Sequence, residues 1–159
     1  MEKPLKRMMI RKSSLSNIFG MARNSGKRPH QGWDLQAKAG TPVYAIADGV
    51  IHDVARQSSG DYGKHLTLEF AIEWKTYYAF YAHLSSIHVY GGKQVKEGDL
   101  LGYTGKTGNA SNLPASEEHL HFEIRKIRNP GKGLGDRVDP GEILGYHVYS
   151  CNVDDDKNF

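Results

Sequence analysis

The chain has 159 residues, 38% of them hydrophobic, and a formal net charge of +3. That length suits one domain with a real core and falls short of the size at which chains divide. Its single cysteine excludes an intrachain disulfide and a thiolate zinc site, no apolar run reaches the ~20 residues of a membrane helix, and no dense basic face interleaved with aromatics suggests nucleic acid.

The first fifteen residues carry Lys3, Lys6, Arg7, Arg11 and Lys12 and read as a basic, solvated N-terminal extension. The apolar Met8-Met9-Ile10 is cut off at once by Arg11-Lys12, so no secretory signal is expected in this chain. In Arg28-Pro29-His30-Gln31-Gly32-Trp33-Asp34-Leu35, the proline and glycine argue for a turn entering a strand rather than a helix. Such a loop can wrap two ligands around one ion, and His30 and Asp34 are the candidates.

Short strands are expected from Val43 to Ala47, Val50 to Ala55, His65 to Ala71, Tyr77 to Ala82, Leu100 to Tyr103 and His119 to Ile127. Leu66, Leu68 and Phe70 alternate with His65, Thr67 and Glu69, the pattern of a half-buried strand. The turn at Glu73-Trp74-Lys75 makes the next strand its hairpin partner. Eighteen glycines suit many tight turns, and no long amphipathic helix or internal repeat is present. The physical inference is an antiparallel, all-β architecture. Gly105-Lys106-Thr107 mimics the end of a phosphate-binding loop, but that motif needs a glycine where Leu100 stands and a helix after it.

The most informative run is Glu118-His119-Leu120-His121-Phe122-Glu123-Ile124. Two residues of strand return a side chain to the same face, so His119 and His121 point together while Leu120, Phe122 and Ile124 point to the core. A catalytic zinc keeps three protein ligands and one open position. His30, Asp34 and one member of the HxH pair make such a set, leaving His83, in Tyr81-Ala82-His83-Leu84, free for proton transfer. Glu123 shares the histidine face and either orients a ligand or forms a surface salt bridge. His52, His65, His88 and His147 read as ordinary structural or surface histidines, and Tyr81 either lines a groove or packs.

HxxxD, then AHL, then HLHFE, in this order, resembles the lysostaphin/LytM-type zinc metallopeptidases. Ile18-Phe19-Gly20, Gly40-Thr41-Pro42-Val43-Tyr44-Ala45, Asp48-Gly49-Val50-Ile51, Tyr62-Gly63-Lys64, Val95-Lys96-Glu97-Gly98, Leu101-Gly102-Tyr103-Thr104-Gly105 and Val138-Asp139-Pro140 extend the resemblance from about Ile18 to Tyr146. It implies an antiparallel two-sheet β fold, the duplicated hybrid motif, with a metal-containing groove. It implies His30, Asp34 and His121 as ligands of one Zn2+ with water in the fourth position, and His83 and His119 as the catalytic histidines. The chain departs from the family at Pro114-Ala115-Ser116-Glu117-Glu118, in place of a glycine-rich approach, and at Lys64-His65, in place of a pattern often built around asparagine.

The domain reading that follows is a basic extension over residues 1–15, a metallopeptidase domain over 16–147 and an acidic tail over 148–159, with Asp154-Asp155-Asp156. The resemblance implies a zinc endopeptidase cutting stem peptides or cross-bridges of bacterial peptidoglycan, in the periplasm, cell wall or extracellular space, delivered by export machinery or a parent protein. A different class of function is a catalytically inactive LytM-like module that binds or regulates wall hydrolases. Such a module would lack some of the five residues, and all five are present. A third is a plain metal-binding protein.

Overall fold

The computed structural model describes residues 1–58, 60–146 and 148. His147, Cys151, the aspartates at 154–156 and nearly all of the expected acidic tail lie outside the described residues.

The strands are β1 (Gly20–Arg23), β2 (Arg28–His30), β3 (Trp33–Gln36), β4 (Pro42–Tyr44), β5 (Gly49–Ala55), β6 (Lys64–Ile72), β7 (Lys75–Ile87), β8 (Gln94–Val95), β9 (Leu100–Thr104), β10 (His119–Arg125) and β11 (Arg137–Val138). One short helix, α1 (Pro140–Leu144), follows; Asp139 caps it by accepting from the Gly141 amide, with Pro140 in its first turn. All pairings between these strands are antiparallel. The six anticipated strands are present, and β1, β2, β3, β8 and β11 are additional.

β6 and β7 form the anticipated hairpin. Its turn residues Glu73 and Trp74 both have positive φ, 48° and 72°, matching a primed turn that suits strand twist. β7 is the hinge of the architecture. Its first part pairs with β6 on one edge and β10 on the other, whereas Leu84–Ile87 pairs with β9, which in turn pairs with β4. One nine-stranded sheet therefore branches at His83, while β1 and β2 form a separate two-stranded sheet. There, two residues of β7 oppose the single His65 of β6, a β-bulge, and His83 takes φ 61°, a region costly to any residue with a Cβ. Bulges re-aim side chains, and this one aims a histidine.

β10 is buried along its whole length. Leu120, Phe122 and Ile124 join Trp33, Leu35, Tyr81, Leu66 and Leu68 in the core, while His119, His121, Glu123 and Arg125 occupy the opposite face. Tyr81 packs: it is fully buried, its hydroxyl donates to the Tyr44 carbonyl, and its ring meets Phe122 edge-on at 5.2 Å.

The N-terminal segment corrects the expectation of a solvated extension. Leu5, Met8 and Ile10 are essentially fully buried in the main core. The Tyr44 amide donates to the Pro4 carbonyl, the Gln36 amide donates to Met9, and Ile10 bridges Leu35 of β3. The apolar residues set between the lysines and arginines carry the signal: Lys6, Arg7 and Lys12 are exposed while Leu5, Met8 and Ile10 bury surface worth roughly 1.5–3 kcal/mol each.

Candidate active site

Two cross-strand registers assemble the site. β3 runs antiparallel to β10 with Asp34 directly opposite His121, so their side chains stand on one face as neighbours. The β2–β3 turn places His30 beside them, and Gly32 makes that possible, because a Cβ there would lie 2.2 Å from the Phe122 carbonyl oxygen. The HQGWD spacing thus presses a turn flat against β10.

His30, Asp34 and His121 bring one ligand atom each to within 4.8 Å of one another, and all three residues are buried. Asp34 Oδ1 lies 2.8 Å from His121 Nδ1 and 3.2 Å from His30 Nε2. Ligand atoms around a tetrahedral zinc with bonds of about 2.0–2.2 Å stand roughly 3.4 Å apart, so the spacing is of the right size. The outward-facing ring nitrogens are anchored as a metal site requires. His30 Nδ1 donates to the Ile18 carbonyl at 2.9 Å, and His121 Nε2 donates to Glu123 Oε1 at 3.0 Å. Once the inner nitrogen gives up the proton it shares with Asp34, each bond holds the ring with that lone pair facing inward. The donor set, two imidazoles and one carboxylate, fits zinc.

Glu123 is not a surface salt bridge. It is fully buried, its Oε2 accepts from Arg125 Nε at 2.6 Å and Arg137 Nε at 3.1 Å, and its Oε1 accepts from His121 and Gln31. Burial by itself would raise this carboxyl, but the His121 hydrogen bond and the charges of His121, Arg125 and Arg137 hold it far below the usual range. Asp34 behaves alike: burial opposes ionisation, and hydrogen bonds from His121 and His30 outweigh it. Burial would lower His121, yet its bonds to the two carboxylates raise it to about 9.

His83 and His119 flank this cluster with ring centroids 5.1 Å apart. His83 Nδ1 donates to the Thr107 carbonyl at 2.8 Å, and His119 Nδ1 donates to the Glu117 carbonyl at 2.9 Å. Both therefore carry their lone pair on Nε2, and His119 Nε2 lies 3.8 Å from Asp34 Oδ1. Burial, then the charges of His121 and His119, pushes His83 down to about 4; burial also lowers His119. Both rings are neutral near pH 7. The Gly105–Gly108 loop, which mimics a phosphate loop in sequence, supplies the Thr107 carbonyl that orients His83. The unusual segment before the HxH pair forms a 3₁₀ turn, Ala115–Glu117, whose last carbonyl orients His119.

An open cavity of about 420 Å³ lies over these residues. Its lining includes residues not anticipated as site residues, among them Arg11, Arg23, Gln31 and Tyr62. Tyr62 stacks on His121 at 5.7 Å and accepts from Gln31 at 2.7 Å. Arg23 donates to Asp34 Oδ2 at 2.8 Å. Tyr62 had a sequence signal in its place within the Tyr62-Gly63-Lys64 correspondence; the arginines had none. His52, His65 and His88 make local contacts to Glu69, the Gly63 carbonyl and Ser86 and stay outside the cluster.

Residues 28–140 match the family model described as peptidase family M23. The chain is 34% identical over 96 residues to peptidoglycan DD-endopeptidase ShyA of Vibrio cholerae, spanning 60% of this chain and 20% of that protein. It is 39% identical over 98 residues to DD-carboxypeptidase/endopeptidase Mpg of Neisseria meningitidis, spanning 62% of this chain and 20% of that protein. The catalytic domain of the antimicrobial peptidase lysostaphin from Staphylococcus simulans shares the fold with a TM-score of 0.57 at 27% identity, over 81% of this chain and 87% of that one. Relative to such curated proteins this chain spans only 18% to 33% of their length. The matched span contains the whole His/Asp cluster and both flanking histidines, and on that ground the chain belongs to peptidase family M23.

Proposed function

We propose that this chain is the catalytic domain of a zinc-dependent endopeptidase that cuts peptide bonds in the stem peptides or cross-bridges of bacterial peptidoglycan. The reading rests on one observation: five separated side chains converge, three of them forming a buried His/Asp/His cluster and two facing it with bare Nε2 atoms. His30, Asp34 and His121 would hold a single ion. Zinc there supplies Lewis acidity toward the scissile carbonyl and toward the water that attacks it.

The protein's own groups do the rest. His83 and His119, neutral near pH 7, divide proton transfer between them: one Nε2 takes the proton of the attacking water and the pair returns a proton to the leaving amine. Glu123 and the Ile18 carbonyl fix the ligand rings, and Thr107 and Glu117 fix the proton-transfer rings. The domain is taken as residues 16–147, with the preceding segment packed onto it, and its place of action as the periplasm, cell wall or extracellular space. Relatives named as peptidoglycan endopeptidases support the substrate class.

The test is digestion of purified sacculi from two wall chemotypes, with and without chelator, followed by mass analysis. New amino termini released only by the metal-loaded protein support the proposal. Reducing sugar ends would refute it, and zinc binding without any cleavage would point to an inactive module. Asp34→Ala and His121→Ala should lose both zinc and turnover, whereas His83→Ala should keep zinc and lose turnover.

A further inference from the structure

Arg11 belongs to the segment that precedes the family match, yet its guanidinium reaches the active site. Its backbone is pinned from both sides: Ile10 is fully buried and bridges Leu35, the Lys12 amide donates to Gln36 Oε1 at 3.1 Å, and Asn17 Nδ2 donates to the Arg11 carbonyl at 2.8 Å. Lys12 also pairs with Glu117, whose carbonyl orients His119. Arg11 is therefore a placed residue and not a loose surface cation.

What it touches leaves its hydrogen-bonding capacity unmet. Nη1 lies 3.3 Å from His119 Nδ1, but that nitrogen already carries the proton it donates to Glu117, so donor faces donor. Among the described residues Arg11 forms an ion pair with Asp34, whose Oδ2 lies at 3.8 Å, and that oxygen is held by Arg23 at 2.8 Å. Arg11 Nε is buried with no hydrogen-bond partner among the described residues. Arg23, by contrast, is satisfied by Asp34, the Ser16 carbonyl and Asn17. The buried Nε is out of a ligand's reach, but the side chain is 19% exposed and lines the open cavity, so the terminal nitrogens are the donors a ligand can meet, and the planar end of the guanidinium matches a carboxylate. With Asp34 neutralised by Arg23, Arg11 is surplus positive charge beside the reacting groups.

We propose that Arg11 is a substrate subsite that binds a carboxylate lying against the scissile bond, so that the enzyme selects acidic stem peptides over their amidated forms. This rests on the endopeptidase reading above. Two sources offer that chemistry: the terminal α-carboxylate of a stem and the free carboxyl of an acidic residue within it.

The experiment uses the zinc-loaded His83→Ala chain, in which turnover is suppressed, and measures binding by calorimetry of three synthetic stem pentapeptides. One has all carboxyls free, one is amidated at its C-terminus, and one is amidated at its internal acidic residue. The expected result is tighter binding of the free acid by about 10- to 100-fold over one amidated form, the scale of a charge-assisted bidentate contact. The form that loses affinity names the source. Adding Arg11→Gln should collapse that ratio toward one, and Arg11→Lys should restore part of it. Equal binding of all three peptides would overturn the subsite, with no variant needed, as would an Arg11→Gln effect that weakens all three alike. Selective acid binding in a protein that cuts no sacculi would instead leave the subsite standing and fail the endopeptidase reading.

Discussion

Glu123→Gln is the most revealing single perturbation, because one carboxylate holds together both the ligand geometry and two buried cations. The substitution keeps the volume and lets one oxygen still accept from His121. The other oxygen becomes an amide that points its own hydrogens at Arg125 Nε and Arg137 Nε, which sit at 2.6 and 3.1 Å. Both arginines are buried, at 5% and 7% exposure, so their charges are left without a counter-ion. Breaking a buried pair by removing one partner costs about 3–5 kcal/mol. Against a total stability of about 5–15 kcal/mol this is a large fraction. For a chain of this length it corresponds to a drop of about 6–20 °C in melting temperature. Turning the charged acceptor of His121 into a neutral amide oxygen should also weaken zinc, by about tenfold, the lower end of the cost of losing such a partner. Thermal melting of the metal-free and metal-loaded protein, with zinc affinity from competition against a chromophoric chelator, reads both effects. A variant melting within about 2 °C of the wild type, with unchanged zinc affinity, would refute the role given to Glu123.

Zinc uptake should depend on pH through His121, whose metal-free value is raised to about 9 by Asp34 and Glu123 against its burial. Below that value a proton must leave for the metal to bind, so zinc affinity should rise about tenfold per pH unit from pH 6 to 8, as chelator competition at several pH values would show. By the same linkage, protonated His121 adds stability to the metal-free protein that is full below its ordinary value of 6.5 and lost as pH rises through about 9. His83→Gly and His83→Ala should both retain zinc and lose about 10²–10⁴ in turnover. The glycine variant should be the more stable by about 0.5–1 kcal/mol in urea, because φ 61° no longer strains a Cβ. Met8→Ala should cost about 2–5 kcal/mol in urea denaturation, since Met8 is fully buried; a change below about 0.5 kcal/mol would show the segment to be dispensable.

Much of this protein is legible in one dimension because its signals are local. Alternation in β6 and along β10 states which residues face the core, since a strand returns to the same face every second residue. The motifs around His30, Asp34, His83, His119 and His121 are short enough to read directly, and their order carries the family resemblance. β2, β8 and β11 escape notice because two or three residues are too few for any period to show. Conversely, the density of lysine and arginine before residue 13 obscures Leu5, Met8 and Ile10, whose burial depends on β3 and β4 being in place.

Tertiary structure alone decides the contacts that tune the chemistry. Antiparallel register between β3 and β10 seats Asp34 against His121, 87 residues away, and no local pattern encodes that distance. The bulge at His83 falls where β7 changes partners from β10 to β9, a junction no local pattern states. Arg11, Arg23, Arg125 and Arg137 look interchangeable as charges in a string. The fold makes Arg125 and Arg137 counter-ions of Glu123 and Arg23 the neighbour of Asp34, and leaves Arg11 facing the groove with donors unfilled. Residue identity determines what chemistry is available; burial and distance determine which side chains engage in it, because a charge removed from water must find a specific partner.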